Sequence, residues 1–145
     1  MLSGGSRGRL HDPLTIANLA FILAIALHNG DHLFFQDRGM DALSTEIRVA
    51  GTALVVVALI GLGFTLARHP WAPMIATIIG FGAAVSVTFG HIVPHWSAFS
   101  DPYSDLSLGA YSWTAMLAEI VTGFVLGVVG FLMVRRETAA STHTV

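Results

Sequence analysis

The chain has 145 residues, 54% of them hydrophobic and 11% charged, with a mean hydropathy of +0.70 and a formal net charge of -2. Soluble domains carry about 25% charged residues, so the composition is that of an integral membrane protein, and the slight negative charge argues against nucleic acid as a partner. The lack of cysteine removes disulfides, thiolate metal sites, iron–sulfur clusters and cysteine nucleophiles together.

Residues 1–11 are rich in Gly, Ser and Arg and read as a disordered tail. Apolar blocks follow at 14–35, 47–67, 72–93 and 108–134, each reaching the roughly 20 residues that cross a bilayer as a helix. Asp12 and Pro13 suit the N-cap and first position of the first helix. The second starts after Ser44 or Thr45 and stops before His69 and Pro70, and Pro73 and Pro94 bracket the third. Arg135 and Arg136 close the fourth, with 137–145 as a second disordered tail. The fold expected is all-α: a single four-helix membrane bundle spanning 1–145, with the lipid bilayer as its solvent. Arg7 and Arg9, followed by an apolar run to Ala24, Ile25 and Ala26, also fit a secretory signal, but Leu33, Phe34 and Phe35 resume the apolar stretch and favour a retained helix.

Orientation follows from the arginines. Arg7, Arg9, Arg68, Arg135 and Arg136 fall on one side, against Arg38 and Arg48 on the other, so both termini are expected in the cytoplasm. The use of arginine without lysine, together with abundant Ala, Gly and Val, hints at a GC-rich bacterial genome, and so at a bacterial plasma membrane. Trp96, Phe99, Tyr103, Tyr111 and Trp113 form an aromatic belt at the outer boundary, and Trp71 marks the inner one. Gly80 with Ala84, and Gly123 with Gly127, are small residues at helix-contact spacing. They imply either a compact bundle or a face for a second copy or a partner membrane protein.

Ionisable groups in hydrocarbon are costly, and here they cluster in the outer half of the expected spans. His28, Asp31 and His32 share one face of the first helix, and Thr88, His91 and His95 form a stripe at the end of the third, where Pro94 is able to move His95 into the loop. With a rise of about 1.5 Å per residue, His28 lies roughly 10 Å below the outer boundary, His91 a turn shallower, and Glu119 roughly 16 Å down. Glu119 has little charge compensation on its own helix, so it must be protonated or meet a partner from another one.

Several functions fit these residues. His28, His32, His91 and His95, with Asp31 or Glu119, offer the donors that zinc, copper or iron accept, and four-helix bundles build metal sites from facing helices. His28 and His91 would alternatively hold haem b as axial ligands. His28, Asp31 and Glu119 would also serve as a proton relay or a pH-responsive switch. The plainest reading is a structural or accessory subunit, with interfacial histidines that are simply solvated and Asp31 paired with His28, Arg38 or Arg48. No phosphate loop, nucleophile elbow or HExxH motif marks an enzyme. His11, His69 and His143 carry no assigned role.

The segment after the third helix runs Gly90, His91, Ile92, Val93, Pro94, His95, Trp96, Ser97, Ala98, Phe99, Ser100, Asp101, Pro102 and Tyr103. With Asp31/His32 and Ala118/Glu119, it resembles small four-helix membrane proteins of actinobacteria. That family has no established activity, so the resemblance implies a fold and no function. Two prolines order this loop, which either lids the histidines or anchors the bundle at the headgroups.

Overall fold

The computed structural model describes residues 12–36 and 42–142; expectations for the N-terminal tail, Arg7, Arg9, Arg38 and residues 143–145 lie outside it. The described residues form four long helices and no strand: α1 (Pro13–Gly30), α2 (Thr45–Leu66), α3 (Ala72–His91) and α4 (Ala110–Thr142). Each is long and apolar enough to cross a membrane. The exposed side chains of α2 include Val49, Val56, Leu59 and Ile60, a face that water would penalise and acyl chains would not.

Local chemistry sets most of the boundaries. Pro13 begins α1, and Ser44 caps α2 by accepting the Ile47 N–H at 3.2 Å. α2 ends in a Schellman arrangement, with the Arg68 N–H on the Thr65 carbonyl and the His69 N–H on the Phe64 carbonyl, both at 3.0 Å. Arg68 takes φ 53 there, where glycine is usual, and Pro70 prevents the helix from resuming. α3 stops at His91 ahead of Pro94, so His95 stands in the loop. The arginine pair does not close α4. The helix continues through Glu137 and Thr138 to Thr142, a stretch that includes the helix formers Glu137 and Ala139, and residues 137–142 are therefore helical rather than a disordered tail.

α1 ends in a widened turn. A π-helical segment, Asp31–Phe35, follows Gly30, and the Gln36 N–H reaches five residues back to the Asp31 carbonyl at 3.0 Å. Single π turns of this kind recur at functional sites because they rotate the side chains beyond them.

Packing is uneven. α3 and α4 are in intimate contact, α1 lies against α4, and α2 leans more loosely on α1 and α3. Phe21, Ile25, Ala76, Ile79 and Leu126 fill the main core, and the Asn18 amide ties α1 to α2 through Thr65 Oγ1 at 3.1 Å. The small residues are used inside the chain. A Cβ on Gly80 would lie 2.5 Å from the Gly123 carbonyl oxygen and 2.8 Å from Gly127 Cα, and one on Gly123 would lie 3.5 Å from the Ala84 nitrogen. Of the two roles that the sequence allowed for these four positions, close intrachain packing is the one observed.

This crossing generates a contrast. Gly80→Ala has no space for its methyl and should lower stability by about 1–3 kcal/mol through overpacking. Gly63→Ala, with nothing within 4 Å of the added carbon, should be neutral or slightly stabilising. Unfolding midpoints of the two variants in the same detergent check this.

Candidate functional site

The polar residues converge at the end of the bundle formed by the last turns of α1 and α3 and the early turns of α4. His28, His32 and His91 are buried, at 5%, 6% and 7% exposure, and each can supply one nitrogen within 4.8 Å of the other two. Their ring centroids are 4.9 Å apart for His28–His32, 4.9 Å for His28–His91 and 5.5 Å for His32–His91.

Two of the rings have fixed orientations. His28 Nδ1 meets Glu119 Oε2 at 2.6 Å, leaving Nε2 to face Tyr103 Oη at 3.0 Å and His32 Nε2 at 3.2 Å. His91 Nδ1 lies 3.1 Å from the Asp101 backbone carbonyl, which can only accept, so Nδ1 carries the proton and the other ring nitrogen keeps its lone pair. A tetrahedral metal with nitrogens at about 2.0–2.1 Å holds neighbouring ligand atoms roughly 3.3–3.4 Å apart, close to the His28–His32 separation. Two imidazole nitrogens at that distance must share a proton or a cation, because facing lone pairs repel.

Glu119 meets its requirement for a partner through His28. Side chains tilt toward the N-terminus of their helix, and α1 and α4 enter the site from opposite ends, so His28 and Glu119 lean toward one another and meet. The carboxylate fixes the orientation of the imidazole, as carboxylates do on the far nitrogen of metal-ligating histidines.

Asp31 is fully buried but does not join the imidazoles. Its carboxylate accepts Ser112 Oγ–H at 2.8 Å and Gln36 Nε2–H at 2.7 Å. The Gln36 amide also donates to Tyr103 Oη at 3.2 Å. The chain of donors therefore runs from Gln36 to Tyr103, from Tyr103 to His28 Nε2, and from His28 to Glu119 (on the tautomer in which His28 Nδ1 holds the proton). An amide cannot pass a proton on readily, so Asp31 positions the network from outside any relay.

His95 is also separate from the cluster. It is exposed and faces Ser100 Oγ at 3.2 Å, because Pro94 carries the chain out of α3 before this residue. The haem arrangement does not fit either. Axial imidazoles stand on opposite faces of a macrocycle, whereas His28 and His91 meet nearly edge to face at 75° with His32 against both.

Tyr103 departs most from its expected place. It is fully buried, not part of an interfacial belt, and packs with Val87 and Met116 beneath the α3–α4 loop. The loop is pinned over the site by the Asp101 N–H on the Gly90 carbonyl at 2.7 Å and by Trp96 Nε1–H on the Phe89 carbonyl at 2.8 Å. Tyr103 covers the site as a lid would, while Trp96 and Phe99 stay exposed as an interfacial anchor would have them, so the loop is compatible with both roles. Gln36 and Ser112 escaped the sequence reading because each is a lone neutral polar residue beside a helix end, indistinguishable there from surface. Beside the imidazoles lies a cavity of about 420 Å³ that Glu119 also lines.

No protein-family model, curated protein or solved structure matches the chain. The chemistry of the site therefore rests on its own residues.

The buried His28–Glu119 pair sets up an asymmetry between two substitutions. Glu119→Leu leaves the buried His28 Nδ1 without its acceptor and should cost about 3–5 kcal/mol, whereas Glu119→Gln, whose amide oxygen can still accept from Nδ1, should cost clearly less. Denaturant unfolding of both variants without added metal measures the difference.

Proposed function

We propose that this chain is a multi-pass protein of a bacterial plasma membrane, with both termini cytoplasmic, that holds one divalent transition metal on His28, His32 and His91 near its outer face. The carrying observation is the convergence of three buried imidazoles from two helices, with their ligand atoms within 4.8 Å of one another. Glu119 and the Asp101 carbonyl orient two of these rings through the opposite nitrogen. Three nitrogens without thiolate suit zinc, copper or non-haem iron. Three protein ligands also leave a coordination position open, the mark of a site that acts on a bound molecule rather than one that merely staples a fold. All three imidazoles line the cavity, so an exogenous ligand there would meet the metal and an apolar wall together.

A second reading is favoured by the 2.6 Å contact between His28 and Glu119. Tyr103, His28 and Glu119 would then form a proton relay with no metal, and the protein would show pH-dependent behaviour without bound ions.

Elemental analysis of purified protein after zinc loading and desalting separates the two. The metal reading expects one zinc per chain, loss of most of it in His32→Ala and His91→Ala, and full retention in His69→Ala and His95→Ala. Glu119→Gln should weaken binding by about 10–100-fold. Equal metal content in all these variants would show adventitious binding only.

A further inference from the structure

The cavity beside the imidazoles has a polar end and an apolar body. His28, His32, His91 and Glu119 gather at one end, and Leu54, Ile79 and Val87 line the remainder; its volume of about 420 Å³ lies within the range of small-molecule sites. Its openings are unequal. Towards the loops it is roofed by buried Leu43, and Ser44 Oγ–H donates to the Ala98 carbonyl at 2.5 Å, joining the α1–α2 link to the α3–α4 link. Along the flank, Val57, Ile78, Gly82 and Ser86 line the cavity while remaining exposed themselves, so it opens sideways between α2 and α3, where the bundle packs loosely. On a membrane-spanning bundle that flank faces acyl chains, not water.

We infer that this cavity binds a neutral, bilayer-soluble molecule of the quinone or quinol class, which enters between α2 and α3 and sets one ring oxygen against the His28, His32 and His91 end. The inference deepens the proposed site by naming what occupies its open side. A lateral route selects against charged heads, since a charge in the hydrocarbon costs about 2.5–3.5 kcal/mol even by the mildest scales. The remaining nitrogens of His28 and His91 accept from a quinol hydroxyl, a proton shared between His28 and His32 is available to a quinone carbonyl, and a metal would bind either oxygen directly. The Ser86 hydroxyl stands on the same wall five residues before His91, roughly 7.5 Å along the helix, and offers a partner for a second oxygen across a ring. Arg48 lies on the rim, so the rival head is a carboxylate.

The test uses the full chain in lipid nanodiscs, zinc-loaded and zinc-free, titrated with ubiquinone-1 against empty nanodiscs. One saturable site per chain is expected. Gly82→Phe and Gly51→Phe project into the cavity, where an added Cβ meets nothing within 4 Å at Gly82 and only Asn29 Oδ1, at 3.8 Å, at Gly51. Each should weaken ubiquinone-1 binding by about tenfold or more, a loss of about 1.4 kcal/mol, with zinc content unchanged. Oleate at matching concentration should not displace the quinone. Uptake no greater than in empty nanodiscs, parental affinity in both filled variants, or displacement by oleate would each overturn the inference. Saturable quinone binding in a protein that never takes up zinc would sink the metal reading and keep the cavity; zinc binding without quinone binding would do the reverse.

Discussion

The contact between His28 Nδ1 and Glu119 Oε2 is the constraint around which the polar end of the bundle is organised. A carboxylate buried to 2% exposure in an apolar helix is tolerable only with a partner, and its partner here comes from a helix 91 residues earlier in the chain. Because the pair occupies one side of the His28 ring, Nε2 is turned toward His32 and His91. The orientation of the central imidazole thus follows from satisfying a single carboxylate, and that of His91 from the Asp101 carbonyl.

Everything else at that end holds this arrangement in register. The close crossing of α3 on α4 through Gly80, Gly123 and Gly127 sets the separation between the helices that carry His91 and Glu119. The π turn after Gly30 lets Asp31 reach Ser112 on α4 while His32 turns toward α3. Gln36 then links Asp31 to Tyr103, and Tyr103 presses on His28 from the loop side. Such a network is specific because Asp31, Gln36, Tyr103, His28 and Glu119 each bond to another polar group at this end, and removing one leaves buried donors and acceptors without partners. α2 takes little part in it. Its loose association leaves space beside the imidazoles that the tightly crossed pair α3 and α4 could not provide.

The legible part of the fold was the part written in apolar length and local punctuation. Four long apolar helices were legible from length, and the Pro13 and Ser44 starts and the break before Pro94 follow from residues within one turn of the boundary they set. His28, His32, His91 and Glu119 stood out because ionisable groups contrast with an apolar background. The direction of each side chain was not legible. Asp31 shares a face with His28 and His32, yet its carboxylate belongs to a different set of partners, and a π turn leaves no simple periodic signature. Tyr103 looked like one aromatic among several at a boundary; only the tertiary fold of the loop, with Asp101 tied back to Gly90, carries it into the core. Helix rise gives the depth of a Cα and not the reach of its side chain, so the contact of Glu119 with His28 across antiparallel helices was not legible either.

X-ray absorption at the metal edge of the zinc-loaded protein tests the central claim most directly, because it reads the ligands themselves. Multiple-scattering features of three imidazoles at about 2.0–2.1 Å, unchanged in His95→Ala and lost along with most of the bound zinc in His91→Ala, are the outcome that the His28, His32 and His91 site requires. A first shell of oxygens alone, or one that retains three imidazoles without His91, would contradict it.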